Sequence, residues 1–328
     1  MAPVALPRTP RVSIVIVGYD SLEYLTNCLS SVLKSRYSNF EVIYVDNGST
    51  DASARYFDTH AGKTGRTIRL DRNYGFTTAN NIGAKAATGE YIVFLNVDTI
   101  VDSEWLEQLV TTLENAPDVG AAQALLLQLG SDLIDSLGEF ITPYGTVYSR
   151  GYGEPASTFS TPQEAFYSKG AAMITRSYLW RTVGGFDPVF HLYYQETDYC
   201  WKLWAMGCRV ICVPGSKVWH VGGAVSSRRP SLIKYYEARE RLVLLLKNYS
   251  AHSLVKYVPI TVCLQFANAV KFLFRGDPTN AANITRGTIS ALIHTRVIWK
   301  RRRFFSARGV AEDYIIRKLM VPNIARTL

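Results

Sequence analysis

An apolar run from Tyr91 to Leu95 ends abruptly in the polar sequence Asn96-Val97-Asp98. Five consecutive apolar residues are typical of a strand that is buried on both faces. In open α/β sheets, ligands bind beyond the carboxyl ends of such strands. Asn96 and Asp98 are two residues apart, so their side chains point to the same side of an extended segment. The pair suits a hard metal cation, although the same residues are also common in turns.

The order of the apolar segments predicts the fold class. Strand-like runs at residues 11–18, 41–46, 67–70, 91–95 and 119–127 alternate with amphipathic helical patterns. Such alternation predicts an α/β protein with a mainly parallel sheet that is covered by helices on both faces. The first strand is not followed by GxGxxG, which argues against a dinucleotide-binding protein, and the chain has no GxxxxGK[ST] phosphate loop.

Composition describes a folded protein with a basic end. Of the 328 residues, 48% are hydrophobic and 19% are charged, and the net charge is +9. A basic carboxyl-terminal region favours an anionic partner. Five cysteines form no CxxC pair, which indicates a reducing compartment. The basic residues of this region are Lys300, Arg301, Arg302, Arg303, Arg308, Arg317, Lys318 and Arg326.

Export and membrane segments are not predicted. Residues 1–10 contain prolines and lack the apolar core of a signal peptide. The most apolar candidate for a membrane span, residues 258–270, is short and includes Gln265 and Asn268. Residues 254–274 and 284–299 are apolar with scattered basic residues, which fits an interfacial membrane element or, equally, a helix-packing or dimer surface.

Two further polar sites follow apolar segments. Glu196 and Asp198 stand at the start of a helical pattern, where they are either functional carboxylates or helix caps. His220 ends a short apolar segment, and a lone histidine is more often structural than a ligand. Between the two halves, residues 130–163 are rich in Gly, Tyr, Thr and Pro, which indicates a hairpin-bearing excursion of the kind that often binds ligands.

Five blocks in a fixed order resemble the family 2 inverting glycosyltransferases of the GT-A fold, especially their rhamnosyltransferase-like branch. The blocks are residues 12–20, 45–51, 70–99, 184–220 and, more weakly, 235–249. The resemblance implies a GT-A, Rossmann-like domain at 1–250, with a nucleotide-binding half at 11–128 and an acceptor half at 129–250. Residues 251–328 then form a basic, amphipathic helical region.

The resemblance also implies the site. Asn96-Val97-Asp98 stands at the place of the family's Asp-X-Asp, which makes Asp98 the main ligand of Mg²⁺ or Mn²⁺, with His220 as a second. Glu196 takes the position of the catalytic base, but this chain reads Gln-Glu-Thr-Asp where relatives read Glu-Asp-X-Asp. The base is therefore Glu196 or Asp198. The implied nucleotide-sugar residues are Tyr19, Asp46, Asp51, Arg72, Asn73, Asn80, Asn81 and Asn96.

The implied activity is transfer of a sugar, with rhamnose favoured by the branch, from a nucleoside-diphosphate sugar to a hydroxyl of a glycan or lipid-linked acceptor. The protein is expected in the cytoplasm, where its carboxyl-terminal region attaches it to the cytoplasmic face of the membrane. The resemblance does not decide between a monomer and a homo-oligomer. One alternative is a sugar-phosphate nucleotidyltransferase, but residues 17–20 lack its glycine-rich basic signature. The other is a non-catalytic nucleic-acid or membrane-binding protein, which needs no carboxylates after several strands. We expect no nucleic-acid partner.

Overall fold

The computed structural model describes residues 9–222, 230–302 and 315–320 and forms a sheet that is flanked by helices. Most strands begin at β-branched or aromatic residues, as strand propensity requires. The strands are β1 Val12–Gly18, β2 Phe40–Asp46, β3 Gly65–Arg69, β4 Tyr91–Asn96, β5 Thr99–Val101, β6 Val119–Gln128, β7 Ile134–Ser136, β8 Glu139–Ile141, β9 Val147–Ser149, β10 Gln163–Glu164, β11 Ala172–Arg176 and β12 Arg209–His220.

The helices alternate with the strands in the first half and follow them in the second. They are α1 Leu22–Leu33, α2 Ser53–His60, α3 Phe76–Ala86, α4 Trp105–Asn115, α5 Ser177–Val183, α6 Gln195–Ala205, α7 Pro230–Asn248, α8 Ala251–Phe274, α9 Pro278–Ile293 and α10 Thr295–Lys300. The excursion at 130–163 contains the short strands β7 and β10 and the hairpin of β8 with β9, as its composition predicts.

The main sheet has the strand order β10-β12-β6-β11-β4-β1-β2-β3. The predicted α/β sheet between helices is confirmed, and its parallel pairs join β3, β2, β1 and β4 on one side and β6 with β12 on the other. β11 separates these parts because it runs antiparallel to both β4 and β6. The carboxyl ends of β1, β2 and β4 therefore meet at one edge, next to the amino end of β11.

Both faces of the sheet are buried, which explains why its strands have no polar alternation. On β1, Val15 packs into one hydrophobic core while Ile14 and Ile16 pack into the other. On β4, Phe94 and Val93 divide in the same way. Each central strand thus contributes alternate side chains to two cores, and a continuous apolar run is the result.

The apolar residues 284–299 are divided between α9 and α10. The carboxyl-terminal helices differ from the sequence expectation in one respect. Helix α8 has 24 residues, and its most apolar window of 18 residues has a mean hydropathy of 1.4, so it is long and apolar enough to cross a membrane by length and composition, although no such segment was predicted. Only 17% of its most apolar window is buried.

Part of the basic end is used inside the protein. Arg301 donates to Asp187 at 2.6 Å, and Arg302 donates to the carbonyls of Leu246 and Tyr249 at the end of α7. These two cations therefore stabilise the packing of the terminal segment rather than forming part of a free basic patch. Lys300 is exposed at the end of α10. Of the other basic residues of this end, Arg303, Arg308 and Arg326 lie outside the described part, as do the side chains of Arg317 and Lys318.

Candidate active site

A cavity of about 760 Å³ opens at the edge of the sheet where β1 and β4 end. Its first half is lined by residues that follow the parallel strands, including Tyr19, Asn96 and Asp98. Its second half is lined by the β8–β9 hairpin, the start of α6 and the first turns of α7. The described residues that form this second half include Glu139, Thr146, Tyr167, Lys169, Gly170, Tyr193, Gln195, Glu196, Leu232, Tyr236 and Arg241.

The structure brings Asp98 and His220 together, although they are far apart in the chain. β5, which begins directly after Asp98, pairs with the end of β12, so that Thr99 lies opposite His220. Nε2 of His220 is 3.5 Å from Oδ1 of Asp98, and both side chains are buried at the cavity wall. Burial disfavours the charged imidazole, but hydrogen bonds to Asp135 and Asp98 outweigh burial and raise the pKa of His220.

Asp135 and Lys169 support this histidine and were missed by the sequence reasoning. Oδ2 of Asp135 is 3.0 Å from Nδ1 of His220 and 2.9 Å from Nζ of Lys169. Despite burial, His220 and Lys169 lower the pKa of Asp135 to about 2. A carboxylate on one ring nitrogen orients a histidine and leaves the other nitrogen for a ligand.

The donor set at this edge fits a divalent cation that is shared with a phosphate ligand. Oδ1 of Asn96 is buried at the cavity without a hydrogen-bond partner, and the Asp98 carboxylate lies two residues further on. No group of three or more His, Cys, Asp or Glu side chains suited to a metal is found in the described ranges. A cation here needs oxygens from its substrate, as Mg²⁺ in phosphate sites commonly does.

Of the predicted nucleotide-sugar residues, Tyr19, Asn73 and Asn96 line the cavity. Asn73 is held by Asn47, whose amide nitrogen donates to Oδ1 of Asn73 at 3.1 Å and whose Oδ1 accepts from the Tyr74 amide at 2.9 Å. Asn47 lines the cavity itself and was not singled out in the sequence. Its position directly after Asp46, at the end of β2, is the signal that would have identified it.

The other predicted nucleotide-sugar residues do not line the cavity, and most have partners inside the protein. Asp46 accepts from the Ser49 amide at 3.1 Å, and Asp51 accepts from the amides of Leu22 and Ser53 at 3.0 Å each. These bonds shape the turn after β2.

Farther along the chain, Asn80 donates to the Phe76 carbonyl within α3. The amide of Asn81 exchanges two hydrogen bonds with the backbone of Phe186 and so ties α3 to the chain before α6. The exposed Arg72 lies over the Tyr74 ring, at 4.8 Å from its centroid.

Glu196 lies in the first turn of α6 and forms part of the cavity wall. The helix starts sharply because Tyr194 has a left-handed backbone with φ of 62°. The carboxylate packs against Gly170, where a β-carbon would come within 2.2 Å of Oε1. Burial raises the pKa of Glu196 to about 7, and its own amide and Gln195 oppose the rise only in part. A carboxylate with such a pKa exchanges protons near neutrality.

Asp198 has the opposite environment. Its carboxylate is fully buried and accepts from Nζ of Lys247 at 2.5 and 2.6 Å, with Lys202 at 2.9 Å. The amide of Asn248 donates a further bond at 3.0 Å. Burial alone would raise the pKa of Asp198, but the two lysines and Asn248 hold it well below its usual range. Asp198 is not part of the cavity wall.

The fold is the GT-A fold of glycosyltransferases. The sequence profile of glycosyl transferase family 2 matches residues 13–183, more than half of the chain, so the chain belongs to this family. The O-antigen biosynthesis protein RfbC of Myxococcus xanthus is 30% identical over 239 residues, which are 69% of this chain and 18% of that protein. In four such relatives the aligned part covers 18% to 59% of their length.

Solved structures support the fold. The crystal structure of GalNAc-T7 with UDP, GalNAc and Mn²⁺ aligns with 97% of this chain and 60% of its own, at a TM-score of 0.62 and 17% identity. The mannosyltransferase PcManGT of Pyrobaculum calidifontis, in complex with GDP-Man and Mn²⁺, aligns with 92% of this chain and 86% of its own, at a TM-score of 0.55 and 18% identity. Both likenesses establish the architecture.

Proposed function

We propose that this chain is an inverting glycosyltransferase that moves a sugar from a nucleoside-diphosphate sugar to a hydroxyl group of a glycan or lipid-linked acceptor. The observation that carries the proposal is the environment of the Glu196 carboxylate. A buried carboxylate with a pKa of about 7 lies in the same cavity as Asn96 and Asp98. A base and a diphosphate-binding edge within one cavity are what a single displacement at an anomeric carbon requires.

In this proposal, Glu196 accepts the proton of the acceptor hydroxyl as the acceptor oxygen bonds to the anomeric carbon. The bond from that carbon to the diphosphate breaks on the opposite face, and the nucleoside diphosphate leaves, so the configuration inverts. The pKa of about 7 allows Glu196 to be deprotonated before the reaction and to hold the proton afterwards. The hairpin and α7 line the second half of the cavity, where the acceptor is proposed to bind.

Asp98 and His220 are the proposed ligands of Mg²⁺ or Mn²⁺, and Asn96 adds its unpartnered oxygen to the same edge. When bound, the cation neutralises the charge that develops on the diphosphate. Among the nucleotide-sugar residues, Tyr19 and Asn73 are proposed to contact the donor, and exposed Arg72, which does not line the cavity, is proposed to contact it only by moving from the Tyr74 ring. We assign the remaining four, Asp46, Asp51, Asn80 and Asn81, to holding the turns that form the donor pocket.

Asp198 takes a positioning role in this scheme. Its bonds to Lys247 and Asn248 fix the start of α6 against α7, and Glu196 lies on the same helical turn. The proposed organisation is a GT-A domain at 1–250, with donor and acceptor halves at 11–128 and 129–250, and a helical region at 251–328. Rhamnose is the donor sugar to test first, and the cytoplasmic face of the membrane is the proposed location.

The test is a panel of nucleotide sugars with Mn²⁺. A donor that binds the folded state raises the melting temperature as its concentration rises, and at 100 times its dissociation constant it stabilises the folded state by about 2.7 kcal/mol. We expect one nucleotide sugar to stabilise the wild type only when the metal is present, and Asp98→Asn to lose this stabilisation. If no nucleotide sugar or nucleoside diphosphate stabilises the protein with Mn²⁺ or Mg²⁺, the proposed function is wrong.

A further inference from the structure

The fully buried residues of helix α8 are polar or small. They lie four or eight residues apart along one face, namely Ser253, Thr261, Gln265 and Ala269, and the half-buried Leu254, Tyr257, Val258 and Val262 pack against the core beside them. Large apolar side chains occupy the other face and are exposed, among them Val255, Ile260, Phe266, Val270, Leu273 and Phe274. A helix on the surface of a water-soluble domain has charged and polar residues on its outer face instead. The exposed face of α8 therefore suits an apolar environment.

The buried side of α8 is covered by specific contacts along its length. Near its middle, Gln265 donates to the Ala238 carbonyl of α7 at 2.9 Å and accepts from the Thr288 hydroxyl of α9 at 2.5 Å. Nearer its start, Tyr257 packs edge-on against Tyr144 of the loop between β8 and β9. Since these polar atoms are satisfied by protein, this face is a packing face, and only the opposite face is left for a partner.

The apolar surface continues onto the next two helices. Ile293 is 70% exposed and Phe274, at the end of α8, is 90% exposed. At the interface between α7 and α9, Gly287 lies against the Tyr235 backbone, where a β-carbon would come within 2.3 Å of the carbonyl oxygen. Small residues between helices and apolar residues outside them are the arrangement of helices packed in lipid. The exposed apolar residues of α9 and α10 are Ile289, Leu292, Ile293, Val297 and Trp299.

The charges beside this surface have one sign. Between residues 251 and 302, Asp277 is the sole acidic residue of the sequence, and its carboxylate caps α9 by accepting from the Asn280 amide at 3.0 Å. Basic side chains surround an exposed apolar surface, which is the pattern of segments that bind anionic bilayers. The exposed basic residues are Lys256, Lys271, Arg275, Arg286, Arg296 and Lys300.

We propose that the exposed face of α8, α9 and α10 is a membrane-binding surface that lies in the interface of an anionic lipid bilayer. The helices lie along the bilayer and do not cross it, because the opposite side of α8 is bound to α7, α9 and the loop between β8 and β9. The apolar side chains enter the boundary between headgroups and acyl chains, while the basic side chains contact the headgroups. The inference concerns attachment and does not depend on the reaction proposed above.

The native chain offers a probe for this face. Cys263 lies on the exposed side of α8, and the other four cysteines are buried or half-buried. An environment-sensitive fluorophore on Cys263 reports transfer of this face into lipid in the full-length protein. We expect a blue shift with vesicles of phosphatidylcholine and phosphatidylglycerol and a smaller one with phosphatidylcholine alone. Raising the salt from about 0.1 M to about 1 M shortens the Debye length from about 10 Å to about 3 Å and should reduce binding.

Charged substitutions on the exposed face test the same surface without affecting the core. Val270→Asp and Phe274→Asp alter side chains that are 48% and 90% exposed, one helical turn apart. Each should lower the vesicle partition coefficient in flotation by about tenfold or more, because a carboxylate cannot enter the acyl region. The matched control is Tyr178→Asp on α5, where the side chain is 56% exposed and far in sequence from this surface. It should bind vesicles as the wild type does.

Equilibrium sedimentation without lipid distinguishes a surface that binds a membrane from one that binds a second copy of the chain. The proposal predicts vesicle binding that Val270→Asp and Phe274→Asp remove and Tyr178→Asp retains. It is overturned if the labelled protein shows no shift with either vesicle, or if all three variants bind vesicles equally. It is also overturned if the wild type is a dimer that Val270→Asp dissociates and that binds no vesicles.

Discussion

Glu196 and Asp198 are two residues apart in the first turn of one helix, yet their environments are opposite. Glu196 lies at the cavity wall, where burial raises its pKa to about 7. Asp198 lies between two lysines that hold its pKa far below the usual range. Two positions along an α-helix rotate the side chain by about 200°, so neighbouring acids face different surroundings. The surroundings, and not the motif, decide which carboxylate can act as a base.

The largest expected effect is on turnover in Glu196→Gln. The amide keeps the size of the side chain but cannot accept a proton, and general-base assistance contributes about 10²–10⁴-fold. We expect kcat to fall by that factor while donor affinity, measured by calorimetry with Mn²⁺, changes little. Near-normal transfer by Glu196→Gln, together with loss of transfer in a folded Asp198→Asn, would mean that the base has been assigned to the wrong carboxylate.

Asp198→Asn should mainly lower the free energy of unfolding and should affect the reaction only indirectly. It leaves Lys247 and Lys202 buried without their shared carboxylate, and breaking a buried pair in this way costs about 3–5 kcal/mol. Urea denaturation measures the change in the free energy of unfolding. A double-mutant cycle with Lys247→Gln serves as the control. In the presence of Lys247→Gln, Asp198→Asn should destabilise the protein much less than it does alone. Additive effects in that cycle would show that the two side chains do not interact.

Glu196 should reduce stability at alkaline pH. Its pKa in the folded protein is about 7, against an ordinary value of 4.5, so the folded state binds the proton more tightly than the unfolded state. Stability is therefore lost as the pH rises from about 4.5 through 7, by up to about 3 kcal/mol at about 1.4 kcal/mol per pKa unit. Glu196→Gln should be more stable than the wild type at pH 8 and equal at pH 4. Thermal unfolding at both values measures this, and equal stability of the two proteins at pH 8 would contradict the raised pKa.

Gly170→Ala should displace the carboxylate of Glu196 without removing it. The added methyl group would lie 2.2 Å from Oε1, so the side chain must move. A displacement of about 1 Å costs up to roughly 100-fold in rate, so we expect a smaller loss of kcat than in Glu196→Gln. Gly153→Ala, at a loop position with open space but a positive φ, controls for a general effect of glycine replacement. Unchanged kcat in Gly170→Ala would show that the base is not held at this position.

The sequence predicted the sheet because each strand is marked by a pattern of residues within one short segment. Buried strands such as β1 and β4 have continuous apolar runs, and each is followed by the polar residues that reach the cavity. The family and fold are confirmed, while the rhamnosyltransferase-like branch stays a prediction. The apolar pattern of residues 284–299 gave no sign of the turn near His294 that separates α9 from α10.

The partners of the acidic residues could not be predicted, because they come from distant segments. Lys247 is 49 residues from Asp198, and Asp135 is 85 residues from His220. In the sequence both partners are ordinary charges on a helix and a short strand. The contact of Arg301 with Asp187 was not predicted for the same reason, since the two residues are 114 positions apart and the Arg301 side chain stays partly exposed beside its partner. Only the tertiary structure separates a charge that faces solvent from one that fixes a neighbour.

The pH dependence of kcat/KM tests the assignment of the base most directly. With Glu196 as the base, kcat/KM should rise with pH and reach half of its maximum near pH 7, the pKa of this carboxylate. Donor affinity, measured over the same range, separates this change from effects on binding. A profile that is flat from pH 5 to pH 8 in the stable protein would contradict the account, because it would require a base that is already ionised, as Asp198 is.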